Sequence, residues 1–187
     1  PVLIDGLREA LPQMDLDLRE MVTGDNLDQL AQGRLDAAII ALEDDLQRTT
    51  AIPMFDEQLV VLTAAGHPWA GRTDVSPAEL DDQPLLLLDE GNCLRDQTLA
   101  LCQRYGSQPP VAVATTLSTV TRMVAHGSGV TIIPEGALQL LIPSSEYGVA
   151  RFGDEAPVRH MGLVHRVSSS RGADFAQLAS LISRLVS

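Results

Sequence analysis

Short apolar runs rich in branched residues recur along this chain: "AAIIAL" (37–42), "LVVLTA" (59–64), "LLLL" (85–88), "VAVA" (111–114), "VTII" (130–133) and "MGLVH" (161–165). Amphipathic stretches separate them, and the alternation predicts an α/β fold with largely buried strands. The helices between have readable ends. "TGDNLDQLAQG" offers Asp25 as N-cap and Gly33 as stop, with Leu27, Leu30 and Ala31 on one face. "STVTRMVAHG" offers Ser118 as cap, Val120, Met123 and Val124 as buried face, and Gly127 as stop. "DFAQLASLISRLV" sets Phe175, Leu178, Ala179, Ile182, Leu185 and Val186 at helical spacing, a core-facing stripe. "PEGALQLLIPSSEYG" (134–148) reads as a surface loop around a short helix.

Composition narrows the picture. The 187 residues are 45% hydrophobic and 20% charged, and no apolar run approaches the roughly 20 residues of a membrane span. Thirteen basic against 25 acidic side chains give a net charge of −12, which repels phosphate backbones, so this chain is not expected to bind nucleic acid by itself. The acidic run "EDD" (43–45) reads as a solvated loop. The opening "PVLIDGLREALPQMDLDLRE" has no secretory-signal pattern and reads as a chain entered partway through a helix, a piece of a longer protein.

Several chemistries have no motif here. His67, His126, His160 and His165 lie outside any H-E-x-x-H pattern, and two cysteines nine positions apart do not make a zinc spacing. "HGSGV" lacks the order of a nucleophile elbow, and neither a P-loop nor a dinucleotide fingerprint occurs. No metal or cofactor is expected.

The cysteines are the exception. "LLLLDEGNCLRDQTLALCQRYG" reads as a strand, a short turn and a helix from about Asn92 to Tyr105, stopped by Gly106. Cys93 then lies in the first helical turn, where unpaired N–H groups and the positive end of the dipole stabilise a thiolate, with Arg95 a local cation. Cys102 shares a face with Leu94, Thr98, Leu101 and Tyr105, the setting of a small buried core residue. Nine helical steps separate their Cα atoms by roughly 13 to 14 Å, beyond the roughly 4.4 to 6.8 Å of a disulfide. Two readings stay open: an inert pair that never bonds, or a reactive Cys93 whose sulfenic acid is resolved by Cys102 after local unwinding.

"GNCLRDQTLALC" closely resembles the redox segment of the peroxide-sensing LysR-type transcription regulators of the OxyR kind, and "QGRLDAAIIAL", "PMFDEQLVVLTAAGHPWA", "MVAHGSGVTIIP" and "HMGLVHR" are similar to other segments of that regulatory domain. The resemblance implies two Rossmann-like α/β lobes of the type 2 periplasmic-binding-protein kind. Lobe I would be residues 1–56 and 161–187, its first strand lying before Pro1, and lobe II residues 57–160 with the cysteines. It further implies Cys93 as the peroxidatic and Cys102 as the resolving thiol. Thr23 would hold peroxide, Asp96 would be a nearby carboxylate and Arg159 a cation for the thiolate. Asn92 stands where many relatives carry histidine; an amide orients a ligand but exchanges no proton near neutral pH.

Hydrogen peroxide would be the ligand, and the domain a sensor, not a turnover enzyme. The other partners implied are a second copy (a homodimer, or a homotetramer in the full-length protein), a thioredoxin- or glutaredoxin-type reductant, and DNA through an N-terminal winged helix-turn-helix absent from this chain. The location implied is cytoplasmic, with no membrane partner. Two alternatives remain at this stage: a small-metabolite-binding LysR-type effector domain with incidental cysteines, and a thiol peroxidase.

Overall fold

A computed structural model describes residues 6–7, 9–42, 46, 48–141, 144–153 and 156–186. The "EDD" run and most of the opening "PVLIDG" lie outside the described residues. The chain divides into two compact units, Pro1–Asp56 with Arg159–Ser187, and Glu57–Val158. Two strands, β2 (Thr49–Ala64) and β7 (Val158–Arg166), carry the chain across the division.

In the first unit, β1 (Ala37–Ala41) pairs antiparallel with β7, Ala37 opposite His165 and Ala41 opposite Met161. Alternate residues of a strand face opposite sides, so this pair receives a helix on each. Helix α1 (Thr23–Ala31) lays Leu30 against Ala38, Ile40 and Val164. Phe175 and Ala179 of the C-terminal helix Gly172–Val186 pack with Leu163. The Arg166 guanidinium donates to the carbonyls of Leu30 and Leu35, satisfying acceptors at the end of α1.

In the second unit, β3 (Leu85–Leu88) runs parallel to β4 (Val111–Ala114). All four β3 leucines are buried, the signature of a strand covered on both faces. Helix α2 (Cys93–Arg104) connects β3 to β4, and α3 (Leu117–Ala125) leads on to β5 (Thr131–Pro134). The second half of β2 pairs antiparallel with β5 and with β6 (Tyr147–Ala150), and Leu59–Leu62 join Leu85–Leu88, Val120, Val124, Ile132 and Ile133 in one core.

Several expectations change. Val22, not Asp25, is the N-cap of α1, with no side-chain cap; Asp25 sits in the first turn, where its charge still suits the helix dipole. Thr116 caps α3 in place of Ser118, its Oγ1 accepting from the Thr119 N–H at 3.2 Å. Ala31, Leu185 and Val186 are exposed, each lying in the last turn of its helix. Strand β2 begins ten residues before its apolar run, and β6 occupies part of the expected loop. Gly148 is required in β6, since a Cβ there would stand 2.5 Å from Ala70 Cβ and 2.6 Å from Thr63 Oγ1.

Candidate functional site

The turn Asp89–Asn92 leaves β3 through Gly91, whose φ of 83° is a conformation that favours glycine. Asn92 then caps α2: its backbone is extended, and its Oδ1 accepts from the Leu94 N–H at 3.0 Å. The amide expected to orient a ligand is therefore engaged as a helix cap. The backbone carbonyl of Asn92 also receives the Arg95 N–H at 2.9 Å, closing the first turn.

Cys93 is the first residue of this helix and is half-buried. It therefore stands at the N-terminal end of a twelve-residue helix, where the positive end of the helix dipole lies. Arg95 turns its Nη1 back to the Leu88 carbonyl at 3.1 Å, so its guanidinium ties the helix start to β3. Asp96 is exposed in the first turn, where a carboxylate complements the dipole.

Cys102, in the last turn, is 3% exposed and shares the buried face with Leu94, Thr98 and Leu101. The buried Thr98 hydroxyl donates to the Leu94 carbonyl at 2.7 Å, satisfying the polar atom on that face. Burial, followed by the charge of Asp81, pushes the Cys102 thiol pKa up. Neither cysteine is in a disulfide, and the intact helix between them holds their Cα atoms roughly 13 to 14 Å apart.

The structure thus brings Asn92, Cys93, Asp96 and Cys102 onto one helix of the second unit. Thr23 and Arg159, both half-buried, belong to the first, at the start of α1 and near the start of β7. The first unit also holds a cavity of about 550 Å³ with Leu16, Ile39, Leu163, Phe175 and Ile182 in its lining.

The sequence reading missed the turn Pro77–Asp82, which lies against the end of α2. Its signal was present: Ser76 and Glu79 form an S-x-x-E capping box. The contacts of Asp81 have no such local signature.

The placement of Asn92 carries a prediction. Asn92→Ala should cost α2 about 1 kcal/mol, seen as faster amide exchange at residues 94–98, whereas Asn92→Ser should stay near the parent because serine also caps.

Residues 1–186 match the family model for the LysR substrate binding domain, and the protein belongs to that family. Within it, the protein is similar to OxyR regulatory domains. It is 42% identical over 189 residues to a probable hydrogen peroxide-inducible genes activator of Mycobacterium avium, covering 100% of this chain and 61% of the relative. It aligns with an H2O2-bound mutant of Corynebacterium glutamicum OxyR at TM-score 0.92 and 35% identity, covering 100% of this chain and 60% of that one. The reduced regulatory domain of Pseudomonas aeruginosa OxyR aligns at TM-score 0.86 and 34% identity, over 100% of this chain and 89% of that one. The chain spans about three fifths of the curated relatives it matches. Those relatives are named as regulators of transcription, not as enzymes. Among the described residues no helix is long and apolar enough to cross a membrane.

Proposed function

We propose that this chain is the hydrogen-peroxide-sensing regulatory domain of a LysR-type transcription regulator, with Cys93 as the peroxidatic and Cys102 as the resolving cysteine. The observation that carries the reading is the unequal placement of two cysteines on one helix: Cys93 half-buried in its first turn, Cys102 buried near its end. The name of the H2O2-bound OxyR neighbour agrees with the ligand.

The chemistry balances without a cofactor. The Cys93 thiolate attacks one peroxide oxygen, the O–O bond breaks, and a sulfenic acid and hydroxide form. The Cys102 thiolate then attacks the Cys93 sulfur, the S–O bond breaks, and a disulfide and a second hydroxide result. Two thiols are oxidised and one peroxide is reduced to two waters. Thr23 is assigned to holding peroxide, Asp96 to the carboxylate near the sulfur, and Arg159 to stabilising the thiolate. A thioredoxin- or glutaredoxin-type reductant would reset the pair. In the full protein the signal would pass through contacts between copies, a homodimer or homotetramer, to a DNA-binding domain outside this chain.

The disulfide requires α2 to unwind, because bond formation must bring together Cα atoms that the helix keeps too far apart. Stoichiometric hydrogen peroxide should therefore yield a Cys93–Cys102 peptide on mapping and faster amide exchange over residues 93–105. A confirmed bridge with unchanged exchange there would sink the unwinding step. Retention of both thiols would favour a metabolite-binding domain with incidental cysteines. Sustained peroxide consumption with a reductant would indicate a thiol peroxidase.

A further inference from the structure

The far end of the redox helix is fastened to a neighbour that takes no part in peroxide chemistry. The turn Pro77–Asp82 is itself braced: Ser76 and Glu79 cap it reciprocally, and Glu79 receives both terminal nitrogens of Arg72, at 2.9 and 3.2 Å. Arg72 also donates to Asp74 at 3.0 Å, and Pro77 and Leu80 of the turn are buried.

Two bonds run from this platform to the loop that closes α2. The Gln108 N–H donates to Asp81 Oδ1, and the buried Ser107 hydroxyl donates to the Pro77 carbonyl at 3.0 Å. The Ser107 N–H in turn donates to the carbonyl of Cys102 itself at 2.8 Å. Beyond the loop, the Pro110 carbonyl accepts the Leu85 N–H at 2.8 Å, joining the segment to β3. A continuous path of hydrogen bonds therefore links the braced turn to the residue that must move.

We propose that Asp81 and Ser107 form a latch that sets how fast Cys102 leaves the core to resolve oxidised Cys93, acting as positioning residues for the second step of the switch. This rests on the sensor reading above. Cys102 is buried, and unwinding its turn requires its carbonyl to release the Ser107 and Tyr105 N–H groups that it accepts. While Ser107 is held by Pro77 and Gln108 by Asp81, that release is opposed. Cys93, at the opposite end of the helix, lies outside the latch, so the first oxidation is independent of it.

A second consequence points the same way. After burial, the Asp81 carboxylate is the next cause raising the pKa of the Cys102 thiol. The latched cysteine is thus both held away and kept protonated; once released into water it ionises more readily and can attack the Cys93 sulfur.

The test separates the two steps in the intact chain. After rapid mixing with hydrogen peroxide, Cys93 sulfenic acid is trapped with a carbon nucleophile, and the disulfide is followed by peptide mass in untrapped samples. Asp81→Ala and Ser107→Ala should each speed disulfide formation roughly threefold to tenfold while leaving sulfenic acid formation unchanged. Asp81→Asn should return the rate toward the parent, because its amide oxygen can still accept from Gln108. Asp81 is exposed, so its variants retain the core whatever Ser107→Ala does to folding. A parent that forms the disulfide at the same rate as Asp81→Ala and Ser107→Ala, or faster, overturns the latch and leaves the switch standing. A parent that forms the sulfenic acid but no disulfide overturns both.

Discussion

Serine in place of Cys93 is expected to abolish the response to peroxide completely: no thiol lost at stoichiometric oxidant, no bridge, no change in amide exchange across α2. A hydroxyl is not ionised at neutral pH and has no sulfenic acid to form. Cys102 cannot substitute, since it is buried and its thiol pKa is raised. The sign of that shift matters. With the folded pKa above the unfolded one, the stability gained from the neutral thiol is complete at neutral pH and is lost only as pH rises through the folded value. The remaining cysteine of the variant should therefore resist thiol reagents near pH 7. Cys102→Ser should behave oppositely, giving a Cys93 that reacts with peroxide and stops at the sulfenic acid. Equal peroxide reactivity in the two variants, measured by sulfenic acid trapping, would show the roles to be misassigned.

The second large effect concerns Gly129, in the "HGSGV" segment that resembles a nucleophile elbow only in composition. Its φ is 151°, and a Cβ there would land on the Pro84 carbonyl oxygen. That oxygen accepts the Val130 N–H at 2.9 Å, while the Val130 carbonyl accepts from Leu86 at 2.8 Å, so the close approach joins β3 to the start of β5. Gly129→Ala should destabilise the protein by roughly 3 kcal/mol or more, the sum of backbone strain and a clash with main chain that cannot yield. Gly127→Ala is the control: φ is 77°, but nothing lies within 4 Å of its Cβ position, so about 1 to 2 kcal/mol is expected. Urea unfolding monitored by the single tryptophan, buried in the same core, would distinguish them. Equal midpoints for the two variants would rule out the clash as the dominant cost.

What could be read in advance followed from how local its cause was. Helix α2 was legible to within a residue because its stop and start are made by Asn92 and Gly106, residues whose own chemistry ends a helix. The strand β3 was legible because four consecutive leucines suit burial on both faces. The caps of α1 and α3 were each misplaced by two or three residues, since Thr116 and Ser118 have equivalent hydroxyls and only the chain path selects between them. Strand β6 was hidden because Gly148 weakens the pattern, its smallness being demanded by Ala70 and Thr63, distant in sequence. The positions assigned to Thr23 and Arg159 came through resemblance alone; neither residue has a neighbouring pattern that announces a role. The latch was invisible for the same reason, as nothing near Asp81 indicates Gln108.

The single helix joining the two cysteines also bears on how the oxidised state ends. On the proposed route, reduction releases both sulfurs and lets twelve residues wind up again and rebury Leu94, Thr98, Leu101 and Cys102. The free energy of that winding is added to the reduction. For a two-electron couple, each roughly 1.4 kcal/mol recovered makes the midpoint potential about 30 mV more positive. A disulfide formed across this helix is therefore a stronger oxidant than one bridging cysteines already in place. Its lifetime in a cell is bounded by the same packing that keeps the sulfurs apart beforehand, and substitutions that loosen the α2 core should make it more persistent.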